Sequence, residues 1–196
     1  MGTRALEAEL KVGVSIFTSS LCYSVLRVEP YTTCAFACSY CYARWYRSGS
    51  PPKAKKWLLG PLARLWARLA SSGLRLPPFR LSTLSDPLQP LEAEKKLTLR
   101  FLRLADQYNV PLILNTKSTL FARPPWREAI LDLAEKNLII LQVSVSCLRP
   151  DACSILEPRA PPAAERLEAA SSLADEVPVV VRLQPLVPGL VELELG

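Results

Sequence analysis

The sequence predicts an α/β fold built on a parallel sheet, and three observations predict it. Short, near-continuous apolar runs recur along the chain, segments with helical spacing separate them, and one run follows the next at about 30 residues, the length of a right-handed βαβ unit. Strands of that kind belong to a sheet buried on both sides. The 196 residues, about half of them apolar, fit one domain large enough to bury a core.

Residues 1–22 read as an N-terminal cover segment carrying Leu6 and Leu10, and residues 23–196 as the core domain. The uncharged stretch Val12–Leu26 looks a little like a signal-peptide core. Glu7 and Glu9 stand where a basic flank belongs, no small-residue cleavage site follows, and the stretch is shorter than the roughly 20 apolar residues that cross a bilayer. The first core strand is expected at Tyr23–Val28. Ser48–Pro52 reads as a loop, and a helix follows over Pro61–Ala70, with Leu62, Leu65, Trp66 and Leu69 on one face and Arg64 and Arg68 on another. Gly73 and Pro77-Pro78 end it.

A regular alternation then sets in. Arg80–Leu84 reads as a strand, and Gln89-Pro-Leu-Glu92 starts the helical region in which Leu97, Phe101, Leu104, Ala105 and Tyr108 recur at helical spacing. Pro111–Asn115 is a strand, Trp126–Lys136 a helix and Leu138–Ser146 a strand. Pro162–Ala174 is a helix and Val177–Leu183 a fifth strand. Pattern alone leaves an open doubly wound sheet and a partial barrel as alternatives. In both, chemistry sits at the strands' C-terminal ends.

The loop after the first strand is Tyr31-Thr-Thr-Cys34-Ala-Phe-Ala-Cys38-Ser-Tyr40-Cys41-Tyr-Ala-Arg44. Three cysteines so close cannot all pair as disulfides, but a tight loop can aim three sulfurs at one object. Structural zinc takes four ligands, commonly from two short pairs or a pair with histidines. This chain has no histidine, and Cys22, Cys147 and Cys153 make no second pair of that spacing. Iron–sulfur clusters are held by thiolates, usually four. Three local ligands point to a cluster with one iron left open to bind a small molecule. Reduced thiolates imply a reducing compartment, and cytoplasm is the expected location.

The C-x3-C-x2-C spacing with an aromatic before the last cysteine resembles the signature of the radical S-adenosylmethionine (radical SAM) superfamily. Further segments narrow the branch. Ser85-Asp-Pro-Leu-Gln-Pro-Leu-Glu92, Asn115-Thr-Lys-Ser118, Leu156-Glu-Pro-Arg-Ala-Pro161 and Val187-Pro-Gly189 stand in the order of the branch described as DNA repair photolyase-like or spore photoproduct lyase-like. The resemblance runs from about Glu29 to about Val191. It implies a partial (β/α)6 TIM-like barrel, here cut short after the fifth strand, so that an exposed barrel edge is available to pair with another chain.

The resemblance also implies the chemistry. Cys34, Cys38 and Cys41 hold a 4Fe-4S cluster, and the open iron takes the amino and carboxylate groups of S-adenosylmethionine. Electron transfer from a reductant such as ferredoxin or flavodoxin then gives a 5′-deoxyadenosyl radical, which the protein positions and shields. Ser85 and Asp86 stand where the methionyl amino group is oriented, and Lys117 where its carboxylate is paired. Ser144 and Ser146 fall on one strand face, within reach of ribose or carboxylate. Glu157 and Arg159 form the Glu-Pro-Arg motif, with Arg159 suited to grip a carboxylate. Tyr40 falls near the adenine. Cys147, at a strand end, is a candidate hydrogen-atom donor as well as an ordinary buried small residue. In spore photoproduct lyase a donor cysteine is expected just ahead of the Ser-Asp pair, where this chain has Thr83-Leu84.

Formal charge is +6, most of it between Arg44 and Arg80. That charge is read either as contact with phosphates, a nucleic-acid substrate among them, or as a solvated helix face, and +6 is modest enough to favour the second. Eighteen prolines against seven glycines, with one methionine, point to a heat-adapted source. Two functions compete with a radical SAM enzyme of unknown substrate. One is an electron-transfer or redox-sensing cluster protein that uses no S-adenosylmethionine, and the other is a degenerate paralogue without catalysis.

Overall fold

The computed structural model describes residues 13–14, 26–46 and 50–186; the expected cover segment, apart from Gly13–Val14, and the Val187-Pro-Gly189 segment lie outside them. Its elements are β1 (Gly13–Val14), β2 (Leu26–Val28), α1 (Ala43–Tyr46), α2 (Leu59–Ser71), β3 (Phe79–Leu81), α3 (Pro90–Lys95), α4 (Leu97–Tyr108), β4 (Leu112–Thr116), α5 (Trp126–Glu135), β5 (Ile139–Val145), α6 (Pro150–Leu156), α7 (Ala163–Ser171) and β6 (Val179–Leu183). No helix among the described residues is long and apolar enough to cross a membrane.

Strand order decides between the two architectures that the sequence leaves open. The sheet runs β1-β2-β3-β4-β5-β6 in chain order, with β2 to β6 mutually parallel and β1 antiparallel to β2. A doubly wound sheet reverses its order at a switch point, but this sheet never does. Repeated right-handed crossovers without a reversal put every helix on one face, which is the winding of a barrel. The five parallel strands expected are therefore present as a partial barrel wall.

The helix-covered face holds the core. Phe79, Leu81, Leu112, Leu114, Leu141 and Val143 pack there with Leu62 and Trp66 of α2, Phe101 and Leu102 of α4, and Ile130 and Leu133 of α5. Trp66 and Phe79 meet edge to face at 5.6 Å. Burying each such large side chain stabilises the fold by roughly 1.5–3 kcal/mol. Leu62 and Trp66 are buried while Arg64 and Arg68 are exposed, as the helical spacing requires. Gly73, at φ 69°, takes the left-handed turn after α2 that a side chain resists.

The β3 strand is shorter than expected and corrects Arg80–Leu84. It stops at Leu81 because Ser82 turns to φ 66°, and the following residues wrap the buried Glu29 carboxylate. Glu29 accepts the N–H groups of Thr83 at 2.7 Å and Leu84 at 3.0 Å and the Ser82 hydroxyl at 2.6 Å. Local polar satisfaction outweighs the apolar pattern here. At the far edge, β6 pairs with β5, and Val180 and Val181 are exposed.

Candidate active site

The cysteine loop leaves the C-terminal end of β2 and is held by residues far away in sequence. Tyr31 and Phe36 are buried, and the Tyr31 hydroxyl donates to Glu92. Glu92, itself buried, also accepts Trp126 Nε1 at 2.8 Å and the N–H groups of Thr98 and Leu99 at 2.9 Å each. One carboxylate thus ties the loop's entry to the start of α4, whose amides need acceptors, and to α5. Gln89 clamps the loop on both sides of Cys34. Its Nε2 donates to the Thr33 carbonyl at 2.9 Å, and its Oε1 accepts the Ala35 N–H at 2.8 Å. Further on, Ser39 N–H donates to the Leu156 carbonyl at 2.8 Å.

Cys34, Cys38 and Cys41 are outside any disulfide, and all three line one cavity of about 920 Å³. Burial pushes the Cys34 thiol up to about 12, reinforced by the Asp86 charge and opposed by backbone N–H groups of Phe36 and Asp86. Burial likewise pushes Cys38 up to about 11, with Lys117 acting against it. Thiolates at these positions need cationic partners, which metal centres supply.

Among the described residues no group of three or more His, Cys, Asp or Glu is placed to hold a single metal ion. An iron–sulfur cluster would be held by cysteine thiolates. Three cysteines spread along a clamped loop and facing a shared cavity fit that donor set.

Four of the residues expected at the cofactor come together behind the loop. Tyr40 Oη lies 2.5 Å from Ser146 Oγ and donates to Glu157. Ser146 Oγ lies 2.5 Å from Glu157 Oε1, and Lys117 Nζ lies 3.0 Å from the same oxygen and 5.5 Å from the centre of the Tyr40 ring. The other Glu157 oxygen takes the Arg166 guanidinium, which also donates to the Ser144 carbonyl at 2.5 Å. Burial raises the Glu157 carboxyl, but Lys117, the Ser146 and Tyr40 hydroxyls and Arg166 outweigh it and hold it at about 2. Burial and the hydrogen bond to the Glu157 carboxylate push the Tyr40 phenol up, with Ser146 acting against them.

Asp86 and Ser85 make hydrogen bonds within the fold itself. Asp86 Oδ1 accepts Leu88 N–H at 2.9 Å and Thr116 Oγ1 at 2.8 Å, and Oδ2 accepts Lys117 N–H at 2.7 Å. The carboxylate fastens the turn after β3 to the end of β4. Burial raises its pKa against those bonds. Ser85 Oγ lies 2.8 Å from Ser82 Oγ and 3.3 Å from Glu29. Ser144 donates to Asn115 Oδ1 at 3.1 Å, lower in the barrel than Ser146. Arg159 is exposed and lines the cysteine cavity, outside the hydrogen bonds around Glu157.

Cys147 is corrected as a hydrogen-atom donor. It is buried and disulfide-bonded to Cys153, so it carries no S–H. Glu29, Gln89, Glu92 and Arg166 escape the sequence reading. Gln89 and Glu92 fall inside a recognised segment but look like helix-start residues. Arg166 had one signal: with Ala163 and Ala170 it occupies the buried face of α7.

No protein-family model matches the chain. An uncharacterised protein of Methanocaldococcus jannaschii is 26% identical over 173 residues, 85% of this chain and 62% of its own length. Spore photoproduct lyase complexed with dinucleoside spore photoproduct superposes with a TM-score of 0.68 at 16% identity, over 88% of this chain and 49% of that one. A radical SAM methyltransferase from Sphaerobacter thermophilus gives 0.54 at 18% identity, over 81% and 46%. A spore photoproduct lyase variant with bound AdoMet and dinucleoside spore photoproduct gives 0.67. The chain spans about three-fifths of the curated relative and about half of the lyase. With its strands wound in sequence order and its three-cysteine loop at the end of β2, the chain shares the fold of the matched half of spore photoproduct lyase.

Proposed function

We propose that the chain is the core of a radical SAM enzyme. The observation that carries this reading is the clamped loop that presents Cys34, Cys38 and Cys41 to one cavity, on a fold shared with enzymes of that chemistry. When bound, a 4Fe-4S cluster with an open iron and S-adenosylmethionine supply reductive cleavage to a 5′-deoxyadenosyl radical that takes hydrogen from a substrate.

The chain's own residues position and shield. Gln89 fixes the backbone on either side of Cys34. Glu157, held ionised by Lys117 and Arg166, orients the Tyr40 hydroxyl and the Lys117 ammonium at the inner wall of the loop. Lys117 stays within reach of an incoming carboxylate, and Arg159 waits on the cavity wall. The apolar residues Ala35, Ala43, Pro51, Pro52 and Leu84 that line the cavity limit water at a reactive centre. An external reductant such as ferredoxin or flavodoxin and a cytoplasmic location go with the reading. The lyase's dinucleoside ligand makes nucleic acid one substrate to test. In that case neutralising Arg64 and Arg68 weakens binding and flattens its salt dependence, and unchanged affinity removes nucleic acid.

The deciding experiment is anaerobic reconstitution, reduction and electron paramagnetic resonance with and without S-adenosylmethionine, with 5′-deoxyadenosine assayed in parallel. A four-iron signal that shifts on addition, together with deoxyadenosine, is the expected result. A cluster indifferent to S-adenosylmethionine favours an electron-transfer or non-catalytic protein, and zinc in place of iron overturns the reading.

A further inference from the structure

The inner face of the sheet, away from the helices, carries two arginines side by side. Arg27 of β2 and Arg80 of β3 are register partners on adjacent parallel strands. Their neighbours along each strand, Leu26, Val28, Phe79 and Leu81, join the helix-covered core, so strand alternation turns both arginines to the inner face. Like charges paired across strands oppose folding, and burying a guanidinium without a counter-charge adds to that cost.

Arg80 is only 8% exposed. Its Nε is buried without a hydrogen-bond partner, and among the described residues it makes no ion pair. Arg27 donates to Thr83 Oγ1 at 3.2 Å. The register continues the row with Ile113 and Ile140, both apolar. Glu29, two residues above Arg27, accepts from Ser82, Thr83 and Leu84 and meets Arg27 through the Thr83 hydroxyl, so it offsets Arg27 in part while no such bridge reaches Arg80. Among the described residues Arg80 is thus left without a carboxylate in contact, beside an Arg27 whose nearest anion is Glu29.

We propose that Arg27 and Arg80 bind an oxyanion, a phosphate above all, at one end of a small substrate. Guanidinium forks match phosphate geometry. The pair lies four residues down the strands from the level of Lys117, on the order of 13 Å at about 3.3 Å per residue. A substrate anchored by its phosphate at the floor reaches up to the cysteine loop. This deepens the radical SAM reading by assigning a substrate class, and it is tested without the cluster.

The probe is inorganic phosphate, titrated into cluster-free protein at ionic strength held constant with chloride, with the thermal midpoint as readout. The expected result is a saturable rise for the wild-type chain, lost in Arg80→Met and shifted to about tenfold higher phosphate or more in Arg27→Gln. No rise beyond chloride, or an equal rise in Arg80→Met, overturns the site. Should Arg80→Met fail to fold, Arg27→Gln decides, and an undiminished response there overturns it as well. Phosphate binding in a protein that cleaves no S-adenosylmethionine would sink the radical reading alone.

Discussion

Lys117 Nζ stands 3.0 Å from Glu157 Oε1, so two residues that the sequence assigns separately to a cofactor first hold each other. The relationship is three-cornered, because Arg166 takes the other oxygen of the same carboxylate. Glu157 and Arg166 side chains are each 1% exposed. Removing the shared anion therefore leaves two cations facing each other, whereas removing Lys117 leaves a complete pair. Glu157→Gln is expected to cost about 3–5 kcal/mol, and Lys117→Met about 1–2 kcal/mol. Denaturant unfolding of the two variants measures the asymmetry. Equal losses would show that Arg166 does not share the carboxylate.

The same carboxylate has a pH signature. Burial raises it, but Lys117, Ser146, Tyr40 and Arg166 together hold it at about 2, below the roughly 4.3 of a free glutamate. The folded state therefore gives up this proton more readily than the unfolded one. Its stabilisation is complete above the unfolded pKa and is lost as pH falls through the folded one. The stability gap between the wild-type chain and Glu157→Gln should be flat from neutrality to about pH 5 and should close below that. A gap that instead closes on raising the pH would contradict the arrangement.

Iron content separates the two groups of cysteines. Cys34→Ala, Cys38→Ala or Cys41→Ala should each take reconstituted protein from about four irons per chain to a small fraction of that. Cys147→Ser and Cys153→Ser should leave iron unchanged, since those two are bonded to each other. Metal analysis after anaerobic reconstitution gives the comparison. Loss of iron in Cys153→Ser would place that residue among the ligands.

The alternation of apolar runs and helical spacing already places α2, α4, α5, α7 and the parallel strands within a few residues, because burial against one face sets both periods. The strand order is not contained in any local period, and it alone separates a barrel wall from a doubly wound sheet. The cysteine loop is legible because its function needs three of one rare residue at fixed spacing. Gln89 and Glu92 are not, because their partners, Thr33, Ala35, Tyr31 and Trp126, lie tens of residues away. Asp86 illustrates the limit: its strand-end position marks it as a ligand, yet only its three donors show that the carboxylate is already engaged.

Asp86→Asn tests that last point. An amide offers one acceptor where the carboxylate offers two, so an NH2 must face either the Lys117 N–H or the donors from Leu88 and Thr116. A lost acceptor of this kind costs about 1–3 kcal/mol. Burial, however, pushes the Asp86 carboxyl up, so the neutral amide recovers part of the desolvation cost, and a net loss of about 1 kcal/mol is expected. The local effect should be clearer than the global one. Hydrogen exchange at the Lys117 amide should accelerate while the amides of Ile113 and Leu114 in β4 stay protected. If Asp86 instead served S-adenosylmethionine directly, Asp86→Asn would weaken that ligand and leave Lys117 exchange unchanged.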